Sequence, residues 1–189
     1  MNADLLPIKV DGQIELHLLE EAHAQLLFAL TEANRTYLRR WLPWLDRVQV
    51  PGDSRAFIVQ SRRNFAAEEG LTAGIWLPQQ LVGVIGFHDL DWSNRKGSIG
   101  YWLDAEQQGK GIASRACRAL VDLGFGPLQL NRIEIQCAAH NRPSRAIPER
   151  LGFTFEGIRR QDEWLYDHFV DGAVYSLLAE EWAGAGRTV

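Results

Sequence analysis

The chain predicts a mixed α/β fold, an α+β arrangement with a largely antiparallel sheet and flanking helices. Three observations carry that expectation. Three consecutive β-type runs, Leu71–Leu77, Leu81–Asp89 and Lys96–Leu103, are joined by turns too short for parallel crossovers, so they read as antiparallel hairpins. Segments of helical spacing stand before these runs and alternate with further β-type runs after them, without the regular βαβ repeat of a doubly wound sheet. The composition is ordinary for a globular chain, 46% hydrophobic and 23% charged over 189 residues, with no internal repeat or linker. That length fits one domain, expected to span residues 1–189.

Taken in order, Ile14–Leu18 alternates and reads as a first strand. Glu20–Arg40 has helical spacing, with Ala22, Leu26, Leu27 and Leu30 on one face, and the stretch Trp41–Asp46 breaks it at Pro43. Asp53–Glu68 reads as a second helix, entered through Pro51-Gly-Asp-Ser54, which supplies capping side chains. The three hairpin strands follow, then a helix over Lys110–Leu123 and an apolar-alternating strand over Arg132–Ala138. A short helix over Arg142–Leu151 is stopped by Gly152, and Pro148 inside it removes one backbone donor and distorts its last turns. Strands at Phe153–Trp164 and Ala173–Ala179 close the order.

The segment Gln107-Gln-Gly-Lys-Gly-Ile-Ala-Ser114 lies between a strand and a helix and says most about function. Its glycines permit positive φ and close approach of a ligand. No Ser, Thr, Asp or Asn stands just before Lys110 to cap the helix, so its first N–H groups lack an obvious side-chain partner. Lys110, Arg115 and Arg118 put positive charge near the positive end of the helix dipole, unfavourable by about 0.3–1 kcal/mol per charge in the first turn. A bound polyanion reverses that sign. A turn leading into a surface helix explains the glycines; the cations and the missing cap favour an anion site. The run lacks the third glycine of a dinucleotide fingerprint and is too short for a Walker loop.

Several functions are disfavoured. A net charge of −4 argues against a general nucleic-acid binder. There is no apolar stretch of spanning length and no signal-peptide pattern at Met1–Pro7, so no membrane partner and a cytoplasmic location are expected. The five histidines, His17, His23, His88, His140 and His168, are scattered, and no metal site is expected. Cys117 and Cys137 show no CxxC spacing and read as two reduced, buried thiols.

At three places the chain resembles the GNAT acetyltransferases. Gln108-Gly-Lys-Gly-Ile-Ala113 is similar to that family's pyrophosphate loop, [QR]-x-x-G-x-[GA]. Asn141 to Phe153 is similar to its second signature, N-x-x-S-x-x-[VI]-x-E-x-x-G-F, with Pro148 in the middle of the helix. With Asn94–Trp102 added, the likeness is greatest to the branch of ribosomal-protein N-terminal acetyltransferases and covers nearly the whole chain.

The resemblance implies a cleft where the strands ending near Leu103 and starting near Arg132 splay apart. Acetyl-CoA would enter there as cosubstrate, its pantetheine arm bonding to main chain near Tyr101, Trp102 and Leu103 like an added strand. The pyrophosphate would rest on Gln108, Gly109, Lys110, Gly111, Ile112 and Ala113 with Ser114 close by. Asn141 and Ser144 would face the thioester and Arg145 would approach the cofactor. The implied reaction is attack of a neutral amine on the thioester. An α-amine with a pKa of about 7.7–8.0 needs only modest help from a base. A main-chain N–H near Trp102 would meet the developing oxyanion.

By the same resemblance Ser144 would be the acid toward the coenzyme thiol and Glu163 the base acting through water. Read from the residues alone, Ser144 is a helix cap beside Pro143, Asn141 shapes the same turn, and Glu163 is a solvated carboxylate. Alternation puts Glu163 on the side shared by Gln161 and Leu165. Trp41 and Trp44 either line the acceptor groove or pack the helical layer. The acceptor implied is a protein or peptide N-terminus. A small amine (antibiotic, polyamine or amino acid) or a CoA-binding protein without turnover are the alternatives, and a homo-oligomer is left open.

Overall fold

The computed structural model describes residues 5–185. The leader reading at Met1–Pro7 and the outer ends of the domain span 1–189 therefore lie partly outside the described residues. An eight-stranded sheet runs in the order β1 (Ile8–Lys9), β2 (Glu15–Leu18), β3 (Leu71–Leu77), β4 (Gln80–Asp91), β5 (Lys96–Leu103), β6 (Arg132–Ala138), β8 (His168–Leu178) and β7 (Thr154–Leu165). Every neighbouring pair is antiparallel except β5–β6.

The helices are α1 (Ala24–Ala33), α2 (Arg35–Leu38), α3 (Pro51–Ala66), α4 (Ile112–Phe125), α5 (Arg142–Arg150) and α6 (Ala179–Ala185). One face of the sheet carries α1 and α3, whose Ala24, Leu27 and Ile58 bury against Leu81 and Val84 of β4. The larger core lies on the other face, where Ala116, Cys117, Leu120 and Val121 of α4 meet Ile85, Phe87, Ile99 and Ile133. Strand alternation assigns Val84 and Ile85 to opposite faces, so each face has its own helices.

The helix expected over Glu20–Arg40 is instead a 3-10 turn at Glu21–His23 followed by α1 and α2, broken at Asn34. Asn34 is buried; its side-chain amide donates to Leu30 O at 3.0 Å and its Oδ1 accepts from Ala105 N at 2.9 Å. A local bond of this kind competes with the helix ladder. Here it also fastens the end of α1 to the turn that follows β5. The helix expected from Asp53 begins at Pro51, and the Asp53 carboxylate accepts from Gln49 N and Val50 N at 2.8 and 3.0 Å. The last strand starts at His168 rather than Ala173, because β7 extends its pairing to Leu165↔His168. Alternation gave no sign of this, since the run His168-Phe-Val-Asp-Gly172 sets its two apolar residues, Phe169 and Val170, side by side. The short β1 and the C-terminal α6 were not expected.

Candidate active-site cleft

Only Lys96–Ser98 of β5 pairs with β6, in parallel with Arg132–Glu134. Beyond Ser98 the two strands diverge, and their unpaired ends border a cavity of about 970 Å³. Gly100, Tyr101, Trp102 and Leu103 form one wall, Gln136, Cys137 and Ala138 the other.

At one end of the cavity is the start of α4. Its N-cap is Gly111, at φ +73°, with no side-chain cap, and Gly109 also has positive φ at +74°. Glycine adopts that region without the penalty a Cβ brings. The main-chain ladder opens with Arg115 N to Gly111 O, at 3.0 Å, which leaves the N–H groups of Ile112, Ala113 and Ser114 ahead of it. Arg115, which also lines the cavity, is held by Asp11 at 2.8 Å and donates to Lys110 O at 3.2 Å, so it braces the loop. The Arg150 guanidinium donates to Ser114 Oγ at 2.6 Å and adds positive charge to the same rim.

At the inner end stands α5. Asn141 caps it, its Oδ1 accepting from Ser144 N at 3.3 Å. The cap expected of Ser144 is therefore carried by Asn141, and Ser144 Oγ is left to donate to the Tyr101 hydroxyl at 3.4 Å. Pro148 explains how Tyr101 is held. In a regular helix the N–H of residue 148 would bond Ser144 O, and proline has none. The Tyr101 hydroxyl donates to that oxygen instead, at 3.0 Å, and ties the free end of β5 to α5. Burial keeps the Tyr101 phenol well above its ordinary range, so it stays a protonated donor.

The opposite face of the sheet holds the other side of the cavity. Trp41, Leu42, Pro43 and Trp44 line it, and the Trp44 ring lies 6.4 Å from that of Trp102. The turn between β7 and β8 closes against this segment, with the Tyr166 hydroxyl donating to Leu42 O at 2.6 Å and Arg39 lying 3.8 Å over the Tyr166 ring. The β7 strand does not alternate evenly into this turn. Gln161 takes φ +52° and its N–H bonds Asp171 Oδ1, and the register shifts between Arg159 and Glu163. Gln161 thus leaves the side shared by Glu163 and Leu165, and Asp162 joins Glu163 at the cavity. Asp162 accepts from the Gln136 amide. Glu163 is exposed by surface area, yet protein surrounds enough of its carboxyl to raise its pKa, and Asp162 adds to the shift.

Of the residues expected at the site, Tyr101, Trp102, Leu103, Gln108, Gly109, Gly111, Ile112, Ala113, Ser114, Asn141, Ser144 and Glu163 all line this one cavity. Two do not. The Lys110 ammonium is held by Gln107 Oε1 at 2.9 Å. Arg145 spans Tyr175 Oη and Ala139 O, at 2.8 and 3.1 Å, and so braces α5 against the sheet. Trp41 and Trp44 line the cavity rather than only packing the layer. Cys117 is buried and its thiol pushed up to about 12, but Cys137, expected to be buried, is half-buried and forms part of the wall. Sequence reasoning passed over Arg150, Gln136, Asp162 and His88. Arg150 falls within the second signature's helix, whereas the others needed the bulge and the splay to bring them together. Among the described residues no group of metal ligands is assembled, and no helix is long and apolar enough to cross a membrane.

The chain has relatives among known proteins. The model of the acetyltransferase (GNAT) domain matches residues 13–154. YdaF of Bacillus subtilis (strain 168), whose name marks it provisionally as a ribosomal N-acetyltransferase, is 40% identical over 93% of this chain and 97% of its own. The ribosomal-protein-serine acetyltransferase of Escherichia coli (strain K12) is 33% identical over 92% of this chain and 97% of its own. Among solved structures, RimL, a ribosomal L7/L12 α-N-protein acetyltransferase in complex with coenzyme A, superposes with a TM-score of 0.90 at 27% identity, covering 93% of this chain and 99% of that one. With a matching family model and relatives aligned end to end, the chain belongs to the GNAT family of N-acetyltransferases.

Proposed function

We propose that this chain transfers the acetyl group of acetyl-CoA to the N-terminal α-amine of a ribosomal protein or peptide, through a single acetyltransferase domain. The observation that carries the reading is the splay of β5 from β6 directly before an uncapped α4. It offers a pantetheine-like arm a free strand edge and a diphosphate a set of main-chain donors. The E. coli relative is named for a ribosomal-protein serine, and RimL for ribosomal L7/L12, which supports the choice of acceptor. Binding of coenzyme A by RimL, and of acetyl-CoA by the microcin C7 self-immunity acetyltransferase MccE (TM-score 0.87, 32% identity), supports the choice of donor.

The groups on the cavity walls fit that donor. Main-chain N–H groups from Gly109 to Ser114 and the Arg150 guanidinium meet a diphosphate, and residues 101–103 offer main chain to the arm. Acetyl-CoA supplies an activated acyl group on a thiol that leaves readily. Ser144 Oγ, held beside the Tyr101 hydroxyl, faces the place where that thiol needs a proton. Across the sheet, Glu163 receives a proton from the incoming ammonium; its raised pKa makes it a stronger base than an ordinary carboxylate. Asp162 and Asp171 share that wall and favour a cationic acceptor.

The test is coenzyme A release with an acceptor panel: peptides beginning Ser, Ala or Met, spermidine, an aminoglycoside and free amino acids. The expected result is turnover with the peptides and a mass gain of one acetyl group at the α-amine. Turnover confined to the small amines replaces the acceptor, and acetyl-CoA binding without any turnover replaces the enzyme by a binding protein.

A further inference from the structure

One side chain at the acceptor face has no part in the scheme above. His88 is the last residue of β4 in regular register, opposite Ser98; past it the pairing shifts and Asp89 takes φ +52°. The ring lies against Gly100, where a Cβ would come within 3.3 Å of both Cδ2 and Nε2. Gly100 pairs with Gly86 of β4 but lies beyond the part of β5 that pairs with β6, and its missing side chain leaves the imidazole room at the cavity wall.

The tautomer follows from the partner. His88 Nδ1 is 2.7 Å from Asp89 Oδ2, and a carboxylate only accepts, so Nδ1 carries the hydrogen. The neutral ring then has its lone pair at Nε2, the atom next to Gly100. The result is a proton acceptor oriented by a neighbouring carboxylate, the arrangement general bases commonly have.

The reaction has work for it. An ammonium that ends as an amide nitrogen loses two protons, one to free its lone pair and one as the new bond forms. Glu163 takes the first and still holds it when the second is released. We propose that Nε2 of His88 accepts that second proton from the acceptor nitrogen, with Asp89 as the positioning residue that fixes the ring. The nitrogen lone pair becomes the C–N bond, and the C–S bonding pair leaves on sulfur. The N–H electrons stay on nitrogen while the proton passes to His88. Of the two protons, one replaces that given to sulfur and the other goes to water.

The charges around the ring are compatible with this role. Asp162 and Glu163 of β7 and Asp171 of β8 border the same cavity, and Asp89 of β4 holds the ring. Lys96 stands further along β5 opposite Asp91, and Glu134 of β6 is held by Arg132 at 2.8 Å. From the helical side, the cavity wall near Trp41 and Trp44 presents tryptophan and proline rather than charge.

The proposal rests on acetyl transfer to an amine, whichever amine the panel identifies. The experiment compares H88Q, D89N and E163Q with the parent chain for kcat, kcat/KM against pH and acetyl-CoA affinity. H88Q is expected to lower kcat by about 10²-fold, within the range of general base catalysis, and to change acetyl-CoA affinity by less than about twofold. H88Q and E163Q are each expected to change the shape of the kcat/KM profile against pH, and D89N falls between H88Q and the parent. The second readout is the ¹⁵N spectrum of the ring in the full chain with coenzyme A, expected to show the hydrogen on Nδ1. An H88Q profile that superposes on the parent, or a ring hydrogen on Nε2, overturns the proposal. Should no amine turn over, the acceptor assignment above fails while the ring spectrum still decides the state of His88.

Discussion

The bond between the Tyr101 hydroxyl and Ser144 O exists because Pro148 withholds the donor that a helix would supply. That dependence can be measured as a coupling. In the parent, Tyr101→Phe leaves Ser144 O without its partner in a part-buried position, at a cost of about 1–3 kcal/mol. In a Pro148→Ala background residue 148 carries an N–H again and the helix satisfies Ser144 O by itself. Tyr101→Phe then no longer orphans Ser144 O, and its cost falls to what the longer contact from Ser144 Oγ, at 3.4 Å, contributes. The coupling between the two positions is expected at about 1–2 kcal/mol, well inside what neighbours in one hydrogen-bond network show.

The assay is urea unfolding of the parent, both single variants and the double variant, read by tryptophan fluorescence and extrapolated with a common slope. Pro148→Ala changes packing and helix propensity as well, and the cycle cancels those terms. Equal costs of Tyr101→Phe in both backgrounds, within about 0.5 kcal/mol, would refute the account, because additivity is what unconnected sites give. The Tyr101→Phe variant should also raise the KM for acetyl-CoA, since the hydroxyl fixes how far β5 stands from α5.

Three further expectations follow from other parts of the molecule. Gly111→Val forces a β-branched residue to φ +73° and sets a Cβ 3.0 Å from the Arg115 guanidinium; calorimetry should show weaker acetyl-CoA binding, and unchanged affinity would count against the loop. Glu156 has its pKa lowered to about 2, first by Arg132 at 2.7 and 2.6 Å and then by Ser176 at 2.7 Å. A depressed carboxylate stabilises above its unfolded pKa, so Glu156→Gln should lower the unfolding midpoint at neutral pH, the difference disappearing as pH falls through about 2. Glu163 is shifted the other way, by burial and then Asp162, so its ionised form disfavours the fold. Glu163→Gln should raise the unfolding midpoint at neutral pH while lowering turnover, and the gain should vanish once pH drops below the ordinary glutamate range.

Much of this was legible in the chain, for stated physical reasons. The strands Leu71–Leu77, Lys96–Leu103 and Arg132–Ala138 appear at the residues read from the sequence, because each buries apolar side chains. The positive-φ glycines Gly109 and Gly111 were legible because positive φ is a local demand. What escaped notice depends on distant partners. Asn34 breaks a helix because its amide meets Ala105, 71 positions away. The bulge at Gln161 is set by Asp171 on the next strand, and it moved Asp162 into the cavity. Arg145 belonged to a recognisable motif, but its guanidinium is committed to Tyr175 on β8, a contact that no local pattern encodes.

The period of two along β5 explains why one strand can border both sides of the cleft. Tyr101 reaches α5 and Ser144, on the side where a thiol would leave; Gly100 and Trp102 face the other way, toward His88 and Trp44. A shift of one residue against β4 would exchange these sets, putting a tyrosine where the imidazole sits and a glycine where α5 needs a tether. The pairing of β5 with β4 is fixed by Ile99 opposite Phe87 and Tyr101 opposite Ile85, and Ile99, Phe87 and Ile85 are buried in the larger core. Register and cleft geometry therefore have a common origin: the apolar residues that bury on α4 also keep the Ser144 side and the His88 side of the cleft apart.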